Sequence, residues 1–111
     1  MKQGSIVVLP IPFTDLSSAK QRPCLVLSNN CLKSSQDVIV LALTSQEKAA
    51  TLPHSVQITS QNLTTGKLPK TSYARCHKVF CIQKKLVRKS VGELSPKLFG
   101  TIQSEFLKIV R

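Results

Sequence analysis

Two dense apolar runs, Cys24-Leu25-Val26-Leu27-Ser28 and Val38-Ile39-Val40-Leu41-Ala42-Leu43, limit most strongly what this chain can fold into. Both are rich in β-branched residues, and neither alternates with polar positions as a strand with one wet face does. They predict two short strands buried on both faces. The first is entered through Arg22-Pro23 and bounded by Asn29-Asn30, whereas the second starts after Asp37 and leaves through Thr44-Ser45-Gln46.

The remaining pattern fits around that pair. Ser5-Ile6-Val7-Val8-Leu9 is a β-branched run stopped by Pro10 and Pro12, which predicts a strand near a sheet edge. Residues 13–21 are small and polar, with turn chemistry at Thr14-Asp15-Leu16-Ser17-Ser18, and predict an exposed loop. Ser55-Val56-Gln57-Ile58-Thr59 alternates as a half-solvated strand does. Gly66 and Pro69 mark a loop, Ser72 to Cys76 a further strand, and Lys78 to Ile82 its continuation or another strand. Ser95-Pro96 then supplies an N-cap and a first-turn proline, and Leu98, Ile102, Phe106, Ile109 and Val110 recur at helical spacing, so the spacing predicts an amphipathic helix over 96–110. Short strands followed by one terminal helix predict a mainly β fold, a small and strongly curled antiparallel sheet or barrel with the helix packed on it. At 111 residues, without linker or repeat, one domain spanning 1–111 is expected. An apolar face left over by so modest a core would favour a homodimer.

Charge narrows the partner. Lys and Arg number 16 against 5 acids, a net +11, and no acid stands between Glu47 and Glu93, where Lys67, Lys70, Arg75, Lys78, Lys84, Lys85, Arg88 and Lys89 gather. Such a surface attracts polyanions over about 8 to 10 Å at physiological salt. Nucleic acid is the first candidate, an acidic protein the second, and a solvated lysine face with no ligand the third. No apolar stretch approaches the roughly 18 to 20 residues of a membrane span, and the N-terminus lacks a signal peptide's apolar region, so a cytoplasmic protein with no membrane partner is expected. Cys24, Cys31, Cys76 and Cys81 lie 7, 45 and 5 residues apart, a poor fit to zinc-ligand pairs, and are read as incidental or buried thiols with no metal and no disulfide.

The catalytic inventory is thin. No phosphate-binding glycine loop occurs, so no nucleotide cofactor is expected. The carboxylates are scattered, and His54 and His77 are the only histidines. A two-histidine ribonuclease is one conceivable arrangement. The other lies at the ends of the two apolar runs: if those strands pair antiparallel, Arg22 faces Thr44, with Ser45 and Gln46 beside them. An arginine fork suits a phosphate, and hydroxyl and amide groups position a ribose 2′-OH or a phosphate oxygen. RNA supplies its own nucleophile, so a protein need only align the groups and stabilise the added charge. Against this stands the plain alternative that Arg22 is a surface charge and Thr44 a strand terminator.

The same residues carry a resemblance. Gly4-Ser5-Ile6-Val7, Pro12-Phe13-Thr14-Asp15-Leu16-Ser17, Lys20-Gln21-Arg22-Pro23-Cys24-Leu25-Val26-Leu27-Ser28 and Asp37-Val38-Ile39-Val40-Leu41-Ala42-Leu43-Thr44-Ser45-Gln46 resemble the MazF/PemK toxin family of type II toxin–antitoxin systems. Gly66-Lys67-Leu68-Pro69-Lys70-Thr71-Ser72, Lys78-Val79-Phe80 and Gly92-Glu93-Leu94-Ser95 are similar to that family's later blocks. The resemblance implies a compact SH3-like β-barrel with a C-terminal helix, a homodimer, and a metal-independent endoribonuclease that cleaves single-stranded RNA at short sequence motifs. It implies Arg22 and Thr44 as catalytic residues, with Phe13, Lys20, Ser45, Gln46 and Lys78 on the RNA path and the 13–20 loop gating entry. It also implies an acidic antitoxin that covers this surface, in keeping with the +11 balance. Two positions depart from the family pattern. Ser5, near the mouth of the site, and His77 stand where carboxylates are common, and His77 is either an added general acid or base or a neutral substitution. A non-catalytic RNA-binding module and a scaffold for an acidic peptide are the competing readings; cleavage in the presence of a chelator separates them.

Overall fold

The computed structural model describes residues 2–11 and 20–111. The expected entry loop, including Phe13, lies outside the described residues. Among these residues are seven strands, β1 (Ser5–Ile11), β2 (Lys20–Val26), β3 (Asp37–Thr44), β4 (Ser55–Ile58), β5 (Leu63–Gly66), β6 (Ser72–Gln83) and β7 (Lys89–Leu94), and a terminal helix, α1 (Pro96–Val110). The strands form one antiparallel sheet in the order β4-β6-β3-β2-β1-β7-β5. The mainly β fold with a C-terminal helix is as expected.

The two apolar runs sit in the middle of this order, so both edges of each strand are paired, and each of their two faces is buried in its own cluster. Alternation sends Leu25, Leu41 and Leu43 to one cluster, with Ile6, Ile58, Leu94 and the helix residue Ile102. Cys24, Val26, Val38 and Val40 join Val7, Leu9 and Ile11 in a second cluster on the opposite face. Burying such a side chain contributes roughly 1.5 to 3 kcal/mol, which is why these strands carry the sheet.

β1 departs from expectation. It runs through Pro10 to Ile11 and is interior, paired with β2 on one side and β7 on the other. The β7 ladder reaches only Val8, so Pro10 lies past the part of β1 that needs donors on both sides. β2 begins at Lys20, within the stretch expected to be loop. Of the two alternatives for Lys78 to Ile82 the continuation holds, since Ser72 to Gln83 forms one strand. No local pattern in the chain marks β5 or β7. They meet at Gly66 and Gly92, where Gly66 has φ 80° and a Cβ on it would run into the Val91 carbonyl, so both the backbone and the close approach demand glycine there.

The helix matches its predicted span. The Ser95 hydroxyl accepts from the Leu98 N–H at 3.3 Å and Pro96 occupies the first turn. Ile102 is fully buried, but Ile109 and Val110 near the C-terminal end are 38% and 57% exposed, so the apolar face is used only in part. No helix among the described residues is long and apolar enough to cross a membrane.

Candidate active site

The ladder between β2 and β3 pairs Cys24 with Ala42, Leu25 with Leu41 and Val26 with Val40. Carried two residues further, the same register sets Arg22 opposite Thr44. Opposed residues of antiparallel strands share a face, and neighbouring strands lie about 4.7 to 4.9 Å apart, so the guanidinium and the hydroxyl start from adjacent positions on one side of the sheet. Arg22 is also registered on Leu9 of β1, Thr44 on Tyr73 of β6, and Tyr73 on Gln57 of β4. Leu9-Arg22 and Thr44-Tyr73-Gln57 are therefore two cross-strand rows, one on either side of the end of the β2–β3 ladder.

Local structure orients the pair. Arg22 and Thr44 are both half-buried. The chain leaves the sheet directly after Thr44, and the Gln46 N–H folds back to donate to Thr44 Oγ1 at 3.3 Å. That contact uses one lone pair of the hydroxyl and leaves its proton for another acceptor. Two residues inward on the same face, Cys24 is fully buried; burial pushes its thiol up to about 12, against a smaller opposing pull from the Arg22 charge. The thiol stays neutral, and with Leu9 it makes an apolar floor on which a cation interacts more strongly with an anion than it would in open water.

Other expected site residues divide into two groups. Lys20 shares the Arg22 face one alternation further out, exposed and opposite Ile11, and Ser45 and Gln46 follow Thr44 on the surface. These join the pair. Ser5 does not. It is buried at the start of β1, opposite Glu93 and four residues from Leu9, about 13 Å along the strand, so it is not near the mouth of this site. His77 lies on β6 in a stretch where the register against β3 slips, such that Arg75 to Lys78 fall between the Leu41 and Leu43 pairings. Its ring stands 6.4 Å from that of His54, and its Nε2 is 3.5 Å from Arg75 Nη2. Partial burial and then the charges of Arg75, Lys78 and His54 lower its pKa, which disfavours its use as an acid. Lys78 is half-buried in the same slipped stretch. Among the described residues, no three His, Cys, Asp or Glu side chains gather where a metal could be held.

The structure adds neighbours that the pattern of the chain did not point to. A cleft of about 610 Å³ opens beside Thr44, bordered by Ser45 and Glu47 and floored by Tyr73 and Gln57. Tyr73 is the sole tyrosine, but its place next to Thr44 depends on the β3–β6 pairing, which no local pattern records.

Residues 2–110 match the family model described as PemK-like, MazF-like toxin of type II toxin–antitoxin system. No curated protein matches the chain. Among solved structures, MazF from Deinococcus radiodurans is similar with a TM-score of 0.77 at 16% identity, covering 99% of this chain and 96% of that one. An endoribonuclease in complex with its cognate antitoxin from a mycobacterial species is similar with a TM-score of 0.74 at 19% identity, covering 99% and 94%. The Mycobacterium tuberculosis toxin MazF-mt6 follows with a TM-score of 0.71 at 17% identity, covering 94% and 93%. At these identities the likeness is one of fold.

Proposed function

The chain belongs to the PemK-like, MazF-like toxin family of type II toxin–antitoxin systems, and from that premise we propose that it is an endoribonuclease of single-stranded RNA whose reacting groups are Arg22 and Thr44. The observation that carries this reading is the β2–β3 register, which ends at Cys24 and Ala42; extended by two residues it brings the Arg22 guanidinium and the Thr44 hydroxyl to one face, beside the apolar cluster that holds Cys24 and Leu9.

The chemistry needs no more than this pair can offer. The 2′-oxygen of the substrate attacks the adjacent phosphorus as the bond from phosphorus to the 5′-oxygen breaks. The 2′ proton leaves to solvent, the departing 5′-oxygen takes one from solvent, and a 2′,3′-cyclic phosphate results. Arg22 binds the non-bridging oxygens with its fixed fork of donors, a contact that strengthens as their charge grows. Thr44, its oxygen held by the Gln46 N–H, donates to a phosphate oxygen or orients the 2′-OH. Lys20, Ser45 and Gln46 border the strand's path, and their contacts with phosphate and sugar supply affinity. With a net charge of +11, an acidic antitoxin competes for the same surface, and the active toxin is a homodimer.

The test is cleavage of a long defined RNA in the presence of EDTA, with mapped ends. The expected result is site-selective cutting by the wild type, lost in Arg22→Ala and Thr44→Ala proteins with unchanged circular dichroism. Wild-type protein that leaves the RNA intact while a control nuclease cuts would overturn the proposal, and salt-sensitive binding without cutting would favour the binding-module reading.

A further inference from the structure

Past β3 the chain turns through Ser45-Gln46 into a single 3-10 turn, Glu47–Thr51, anchored by the buried Ala49. The cleft beside Thr44 is lined by Ser45 and Glu47, by Tyr73 of β6 and Gln57 of β4, and by Lys70 and Thr71. Tyr73 and Gln57 continue the Thr44 position across the sheet, because Thr44 pairs with Tyr73 and Tyr73 with Gln57. Thr44 and Gln57 are two strand spacings apart, about 10 Å, which suits the reach from a phosphate to the edge of an adjoining base.

Glu47 is out of place on a surface meant only to attract phosphate. It is one of 5 acids against 16 basic residues, and the ion pairs among the described residues do not include it. A carboxylate there repels the RNA backbone unless it has a hydrogen-bond donor to accept from. Ionised, it accepts and cannot donate, so it discriminates sharply between base edges. Gln57 offers an amide with both a donor and an acceptor, and Lys70 offers a cation to the neighbouring phosphate.

We propose that this cleft is a nucleobase subsite, in which a base flanking the scissile phosphate lies over Tyr73 and is read at its edge by Glu47 and Gln57. The proposal rests on the endoribonuclease reading for its substrate. The edge it selects bears an amino group: adenine, cytosine or guanine can donate to Glu47. Uracil is rejected, because its single N–H is flanked by two carbonyls that face the carboxylate. A lost base-edge contact changes discrimination by roughly tenfold.

Two sets of short RNAs, each varying one base on either side of the cut bond, test the subsite. One set is cleavable. The other carries 2′-deoxyribose at the cut position, so it binds without reacting. Glu47→Gln, which keeps shape but gains a donor, is expected to reduce the penalty against uracil at one flanking position about tenfold, both in kcat/KM and in Kd. Gln57→Glu is expected to shift the base order at that same position. If both variants keep the wild-type base order at every flanking position, the subsite is overturned. If the wild type cuts nothing, yet Glu47→Gln still changes the base order in Kd, the nuclease reading falls and the subsite stands.

Discussion

Glu47 and Glu105 are used in opposite ways by the same basic molecule. Glu105, on α1, already has partners: Lys108 Nζ lies 3.1 Å away and His54 Nδ1 3.2 Å. Their hydrogen bonds, Lys108 first, hold its carboxyl below the usual range. Around it His54, His77 and Arg75 make a cluster that links the start of β4, the middle of β6 and the helix. His54 adopts φ 61°, a region a non-glycine residue seldom enters, and its contact with Glu105 helps keep it there. Glu47 lines the cleft beside Thr44 and is in none of the ion pairs of the described residues. Charges matched within the chain hold elements together. A carboxylate that lines a cleft without such a match is left for a ligand.

That contrast can be broken most decisively at the Arg22–Thr44 pair itself. Arg22→Ala and Thr44→Ala are each expected to lower kcat/KM on RNA by about 10² to 10³ with folding retained, whereas His54→Ala and Glu105→Gln stay within about threefold of the wild type. Equal losses in both regions would erase the distinction. The apolar floor beneath the pair is checked by thiol labelling. Cys24 and Cys76 are fully buried, with thiols pushed up to about 12 and about 11, while Cys31 and Cys81 are exposed. Two of the four thiols are therefore expected to react quickly at neutral pH and four in urea; rapid labelling of Cys24 would remove the floor.

Acid should loosen the helix cluster. His77, lowered by burial and by Arg75, Lys78 and His54, binds protons less readily folded than unfolded, so stability falls as pH drops through and below the ordinary imidazole value of 6.5. Glu105, lowered by Lys108 and His54, adds stability above the ordinary carboxylate value of 4.5 that is lost as pH falls through its folded value. Both signs agree. Urea midpoints should decline from neutral pH toward pH 4, with His77→Gln flattening the upper part of that decline and Glu105→Gln the lower. The smallest effect is at Gly100, where an added Cβ meets nothing within 4 Å. Gly100→Ala should stabilise by up to about 1 kcal/mol with cleavage unchanged.

How far the chain could be read follows from where its information lies. The apolar runs of β2 and β3 announced themselves because residues buried on both faces leave no polar gaps. The cap at Ser95 and the 3.6-residue period set the limits of α1. β5 and β7 were silent. Leu63-Thr64-Thr65-Gly66 and Lys89-Ser90-Val91-Gly92-Glu93-Leu94 are short and mostly polar, and become strands through distant partners: β7 pairs with both β1 and β5, and β5 with β7. The site divides along the same line. Arg22 and Thr44 were legible as the flanks of two strands, whereas Ser5 was placed near them by likeness to a pattern and lies at the other end of β1.

By itself the sequence determined the two central strands and the terminal helix, the excess of positive charge, and the residue types at the ends of those strands, all of which are local properties of composition and period. Tertiary structure alone decided that β1 is interior, that β6 slips its register opposite Ala42, and that Tyr73, Gln57 and Glu47 meet around Thr44. The physical reason is that period records whether a residue is buried, while the identity of its neighbour across the sheet depends on chain closure between distant segments, which leaves no mark on either one.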